Sequence, residues 1–295
     1  MPRFYKNLVD HDTGEIVGAG DVLLPGEKIQ RKTTQRQLDG WNYAKNEVVP
    51  LPFFLQQQFG NFIHSRYDAL LEKVGYDTAT VFRFMYLCTF IEYDTGYIVW
   101  NNKRITDHYL MDIFNVHKNT ITNIKKKLYD CELIFQDNDK HIYVNVDYCY
   151  RGDISSNKQY RQQCTRIFNS GIQTLYKNAS DFRDHKMLGK LILLLPYVNI
   201  YHNVICLNIK EKDWDKLIIP NAFQMDEILH TSLRNNQKQM KKLLDIEVNG
   251  EPAVLVVKHK NVHMYAINPR IYYGGTKLSD VQELSGMFKA KGGLD

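Results

Sequence analysis

The chain lacks most of the signals that mark special protein classes. Five cysteines among 295 residues are an odd number, stand far apart and form no Cys-x-x-Cys pair. Neither a disulfide framework nor a zinc site is indicated, which leaves reduced thiols and a cytoplasmic location as the expectation. The richest apolar run, Leu191–Pro196, is far short of the ~20 residues a membrane span requires. The opening MPRFYKNLVDHDTGE has no apolar segment of the kind a secretory signal needs. His-Glu-x-x-His, Gly-x-Ser-x-Gly, the phosphate-loop pattern and the His-x-His pair of rolling-circle nucleases are all missing. The expectation is therefore a non-enzymatic protein without metal or cofactor. Apolar residues make up 44% of the chain, enough for ordinary cores, and the length suits two domains.

Lysine and arginine number 38 against 33 acids, a net charge of +5. So small an excess defines no partner, and its distribution says more. Lys28–Gln37 (KIQRKTTQRQ) holds Lys28, Arg31, Lys32 and Arg36 without an acid. Ser155–Asn178 holds Lys158, Arg161, Arg166 and Lys177, again without one. Unopposed cations on polar segments can follow a polyanion and release its counterions.

Two stretches resemble each other. Tyr143–Gly152 (YVNVDYCYRG) and Tyr265–Gly274 (YAINPRIYYG) place Tyr, Tyr and Gly at the same three positions. The elements before them match in order. In the first unit a helical face (Val81, Phe84, Met85, Leu87, Cys88, Ile91) precedes an Asp94-Thr95-Gly96 turn and a β-like run, Tyr97–Trp100. Thr106 then caps a second helix, Asn115–Asn119 is a polar turn, and Thr120 opens a third helix with Ile121, Ile124 and Leu128 inward. Leu133–Phe135 and His141–Val146 read as a hairpin. In the second unit an apolar helix from Phe182 ends at Pro196 and Val204–Leu207 is a strand. Lys212–Ile218 starts a helix interrupted by Pro220, and Asp226–Leu244 holds a third. Glu247–Lys258 and Val262–Ile267 are strands flanking His259-Lys260-Asn261.

Helix, strand, helix, turn, helix, hairpin is the order of a winged helix-turn-helix. The expected fold is α+β, with two such domains in tandem behind an N-terminal extension. The expected boundaries are 1–75 for the extension, with its basic arm and a helix at Leu55–Leu71; 76–153 for the first domain; 154–180 for a basic linker; 181–276 for the second domain; and 277–295 for a tail. The third helix of such a unit presents its outer face to a DNA groove. In the first unit that face offers His117, Lys118, Asn119, Thr120, Thr122, Asn123, Lys125 and Lys126. In the second it offers Thr231, Ser232, Arg234, Asn235, Lys238, Gln239, Lys241 and Lys242. Amides and hydroxyls suit base edges, and lysines suit phosphates.

Other groups have quieter readings. His259 and His263 flank the second hairpin turn, which holds them apart. Tyr148, Tyr150, Tyr272 and Tyr273 read as packing at the hairpin exits rather than as nucleophiles. Asp137 and Asp139 form no evident carboxylate pair. The apolar run Leu188–Leu195 serves either its own core or a homodimer contact.

The run KNTITNIKKKLYDCELI (Lys118–Ile134) resembles the recognition helix and following strand of winged-helix regulators and of replication proteins from small plasmids and phages of Gram-positive bacteria. MYAINPRIYYGG (Met264–Gly275) is similar to the hairpin exit of the RepL-type plasmid replication family. The resemblance implies a cytoplasmic, sequence-specific binder of double-stranded DNA, with origin binding as a replication initiator the first candidate role. A transcriptional regulator with the same contacts, or an adaptor whose winged units hold replication or transcription proteins, are the alternatives.

Overall fold

The structure, a computed structural model, describes residues 5–9, 16–21, 51–152, 166–231, 233–275 and 277–292. Near the N-terminus, strands β1 (Tyr5–Val9) and β2 (Ile16–Asp21) pair antiparallel. They belong to a unit spanning residues 1–49, and residues 50–295 form a second unit.

That second unit opens with helix α1 (Leu51–Phe59), strand β3 (Phe62–Ser65) and helix α2 (Tyr67–Val74). Leu55–Leu71 is thus two helices with a strand between them, not one. Gly60 takes the left-handed conformation, φ +78°, that stops α1. Helix α3 (Thr78–Cys88) is capped by Asp77, whose carboxylate accepts from the Thr80 amide (3.4 Å) and hydroxyl (3.0 Å). Every residue from Ala79 to Cys88 is buried, so α3 runs through the core instead of along its surface.

A small hairpin of β4 (Val99–Trp100) and β5 (Lys103–Arg104) follows, then a 3-10 turn (Asp107–Tyr109), helix α4 (Leu110–Phe114) and helix α5 (Lys118–Asp130). Thr106 precedes the 3-10 turn, but its side chain makes no capping bond. Asn115 ends α4 in the left-handed region, which asparagine tolerates (φ +47°). The helix after it starts at Lys118, two residues before the expected Thr120, and buries Ile121, Ile124 and Leu128. Strands β6 (Ile134–Gln136) and β7 (Ile142–Val144) form the hairpin, and β8 (Cys149–Tyr150) leaves it.

The second half repeats this order from further upstream than the sequence indicates. Strand β9 (Arg166–Phe168) and helix α6 (Asn169–Asn178) occupy the later part of the expected linker. Helix α7 (Phe182–Leu194) begins with a capping box of Asp181 and Asp184. The stretch around Lys212–Ile218 makes only a 3-10 turn (Trp214–Lys216). Pro220 comes before the second helix, α8 (Ala222–Ile228), which Asn221 caps with Gln224 in reciprocal bonds. Asp226–Leu244 is not one helix: His230 at φ +46° separates α8 from α9 (Leu233–Leu244). Glu247–Lys258 is likewise two strands and part of a third. β10 (Glu247–Val248) turns through Asn249-Gly250 into β11 (Glu251–Pro252), both turn residues having positive φ. Then β12 (Val254–His259) pairs with β13 (Val262–Ile267), β14 (Tyr272–Tyr273) follows, and helix α10 (Leu278–Gly292) closes the described chain. The expected tail is therefore largely helix, and Val281, Leu284 and Phe288 bury its inner face.

The halves meet in one four-stranded sheet of order β14-β9-β3-β8. Each half contributes its entry strand (β3, β9) to the centre and its exit strand (β8, β14) to an edge. The central pair is antiparallel, with Phe62 opposite Phe168 and Ile63 opposite Ile167. A local two-fold axis therefore passes between the halves, and the repeated Tyr150 and Tyr272 lie on opposite edges of the sheet. The equivalent helices α3 and α7 also pack on each other. A Cβ at Gly189 would lie 1.9 Å from the Thr78 carbonyl oxygen, so only glycine permits that approach. Leu188 and Leu191–Leu195 are buried here, which places that apolar run in the protein's own core.

Candidate nucleic-acid interface

The outer face of α5 is sorted by its neighbours. On one flank Lys125 pairs with Asp107, whose other oxygen accepts from the Tyr129 hydroxyl at 2.7 Å. Burial and that carboxylate both push the Tyr129 phenol well above its ordinary pKa. On the other flank Lys127 pairs with Asp77, the cap of α3. Burial raises the Asp77 pKa, but bonds from Lys127 and Thr80 outweigh it and hold the carboxyl below its ordinary value. Thr122 donates its hydroxyl to the Lys118 carbonyl at 2.9 Å, so the hydroxyl is spent within the helix.

Between the flanks lies an exposed stripe of Asn119, Asn123 and Lys126, continued at the helix start by His117, Lys118 and Thr120. Lys118 and Lys126 have no ion-pair partner among the described residues. Spacings of four and three residues put Asn119, Asn123 and Lys126 on one line along the helix. Of the eight residues expected to face DNA from this unit, Lys125 and Thr122 are thus engaged within the protein.

The second half differs. Lys238, Lys241 and Lys242 are exposed on α9. Gln239 instead turns inward, accepting from Lys190 and donating to the Thr231 hydroxyl at 2.8 Å. Burial lowers the Lys190 pKa, with Lys186 adding to the effect. Gln239 and Thr231 are therefore structural, contrary to expectation. Ser232, the side chains of Arg234 and Asn235, and the arm residues Lys28, Arg31, Lys32 and Arg36 lie outside the described residues.

The hairpins carry an unexpected grouping. Asp137, Asp139 and His141 at the tip of β6–β7 bring one ligand atom each to within 4.8 Å of one another. The His141 amide donates to Asp137 at 2.8 Å, which shapes this turn. His259, by contrast, bonds Asp215 at 2.8 Å and does not converge with His263, which lies opposite Lys258. Tyr272 and Tyr273 are buried in the sheet. The Tyr273 hydroxyl donates to the Lys277 carbonyl (3.0 Å), and that of Tyr150 to Asp94 (2.6 Å). Asn268 of the Asn-Pro exit is fully buried. It donates to the Pro252 carbonyl (2.9 Å) and Glu251 (3.2 Å) and accepts from the Arg270 amide (2.9 Å), which makes it a structural corner.

Among the described residues, no helix is long and apolar enough to cross a membrane. Comparison of the chain with protein-family models, with characterised proteins and with solved structures finds no match.

Proposed function

We propose that this chain is a non-enzymatic, sequence-specific binder of double-stranded DNA, built on two winged helices in tandem, and that it acts as a plasmid or phage replication initiator. The observation that carries this reading is the stripe of His117, Lys118, Asn119, Asn123 and Lys126. It is exposed, presents amides and unpaired cations together, and sits on the helix that follows a three-residue turn. Amides can read base edges while ammonium groups hold the backbone. The lysines of α9 supply a second basic helix in the same unit of the fold, so the fold itself sets the spacing of the two readers. The resemblance of Met264–Gly275 to RepL-type exits supports an initiator over a transcriptional regulator, which would use the same contacts.

Selection of bound sequences from a random duplex pool tests the reading. The local two-fold relation predicts two half-sites in inverted orientation, and the unlike residues on α5 and α9 predict that their sequences differ. Affinity should fall steeply with salt. No enrichment, with binding confined to the ~10⁻⁴–10⁻⁶ M non-specific range, would overturn it. One observation favours a second reading: at the first hairpin tip Asp137 and Asp139 outnumber the single cation Lys140, where a DNA-contacting wing needs an excess of cations. That tip suits a protein partner, and the adaptor reading stands if the pool shows no enrichment.

A further inference from the structure

A groove of about 1090 Å³ separates α5 from the corner where α6 meets α7. Arg83 of α3 lies at its base, 7% exposed. Its Nε donates to His185 Nδ1 at 3.2 Å, and the Phe182 ring covers the guanidinium at 5.0 Å from the ring centre. His185 offers no countercharge, because an imidazole is only ever neutral or cationic; burial and the adjacent guanidinium hold its pKa down to about 4, so it stays neutral and its Nδ1 can accept this bond. No ion pair or further hydrogen bond to Arg83 exists among the described residues. Asp77, whose field reaches it, is already held by Lys127 and Thr80. The two terminal nitrogens of Arg83 are not among the fully buried polar atoms that lack a partner, so the groove reaches them, and a partly desolvated cation with no anion is poised to take one that enters there.

The rim adds to this. Lys126 and Lys177 are exposed at the groove mouth. The rim also holds three carboxylates: Asp181 is engaged in capping α7, and Asp112 and Asp130 are as exposed as the two lysines and partly offset them, which leaves Arg83 at the base as the fixed cation. Phe182, 44% exposed, and the half-buried Trp100 offer ring surface. One cation satisfies a carboxylate. Three around an aromatic-walled space suit a phosphate carrying a planar base.

We propose that this groove is a phosphate-binding site for a nucleotide, with Arg83 engaging the phosphate, Lys126 and Lys177 neutralising its remaining charge, and Phe182 and Trp100 flanking the base. The phosphate comes from a free nucleotide or from a DNA strand end; the chemistry is the same. The proposal does not rest on duplex recognition by α5.

Calorimetric titration of the full chain tests it, with ATP, inorganic phosphate, adenosine, and single strands with and without a 5′-phosphate as probes. ATP or the 5′-phosphorylated strand should bind, whichever is the source, and adenosine and the unphosphorylated strand should not. Lys177→Ala, a surface change, and Arg83→Met should each weaken that binding about tenfold or more, the cost of a charged hydrogen bond. In phosphate-free buffer Arg83→Met should change the melting temperature little, since it removes a desolvated charge but leaves the buried His185 Nδ1 without its donor. Added phosphate should raise the melting temperature of the wild type more than that of the variant. Three results would overturn the site: no phosphorylated probe binding at ~10 mM, adenosine binding as well as ATP, or both variants binding like wild type.

Discussion

Acid should weaken this protein through one histidine. His185 is 7% exposed, stacks on Tyr176 (4.8 Å between ring centres) and accepts from Arg83 Nε at 3.2 Å. A proton on Nδ1 would break that bond and set two cations together. Burial first, and Arg83 second, therefore move its pKa from 6.5 to about 4. The unfolded chain takes up this proton as pH falls through about 6.5, whereas the folded chain resists until about 4. The contribution is present above pH 6.5 and is lost progressively below it. At ~1.36 kcal/mol per pH unit the whole window is worth about 3 kcal/mol, of which about 2 are gone by pH 5. That is a large share of a typical stability of ~5–15 kcal/mol. Urea unfolding followed by circular dichroism at pH 7.5 and 5.0 measures the loss. His185→Gln is the control, since the amide still offers Arg83 an acceptor but does not titrate. The wild type should lose about 2 kcal/mol more than the variant between the two pH values. Equal losses in both proteins would refute the assignment, because every other titrating group is common to the pair.

Gly189→Ala should force α3 and α7 apart at the Thr78 carbonyl and cost about 1–3 kcal/mol, read as a drop in melting temperature. Lys126→Ala should reduce the salt slope of DNA binding by about one. Lys125→Ala should change it less, because Asp107 already holds that ammonium. Equal effects on filter-bound DNA would show that the Asp107 pair opens on binding. Asn268→Ala should leave the Pro252 carbonyl and Arg270 amide without partners in a buried corner, costing about 1–3 kcal/mol in thermal unfolding.

The local signals in the sequence were legible where one helix settled its own state. Ile121, Ile124 and Leu128 mark the inner stripe of α5, and the burial of all three follows. Other signals were present but went unread: Asn221 with Gln224 marks a helix start after Pro220, and Asn249-Gly250 marks a hairpin inside Glu247–Lys258, which reads above as a single strand. The entry strands were a different matter. Phe62–Ser65 and Arg166–Phe168 are short, and their partners lie about a hundred residues apart, so no local pattern marks them. Leu55, Phe59, Phe62, Ile63 and Tyr67 keep helical spacing across Gly60 although the chain is extended at Phe62 and Ile63. The same limit applies to the interface. Exposure of Lys126 follows from helix phase, but the engagement of Lys125, Lys127 and Gln239 depends on Asp107, Asp77 and Lys190, which only tertiary packing brings close. Arg83 reads in the sequence as one polar residue on an apolar helix, and nothing local places it at the base of a groove.

The mirrored strand order of the central sheet means that one polypeptide holds what other proteins assemble from two identical subunits. Assembly of the pair needs no second molecule, so it does not weaken on dilution. Because the two halves differ in sequence, the pair is not symmetric in its surface: if α5 and α9 read a duplex as proposed, the target would be bound in a single direction, fixed by the chain itself.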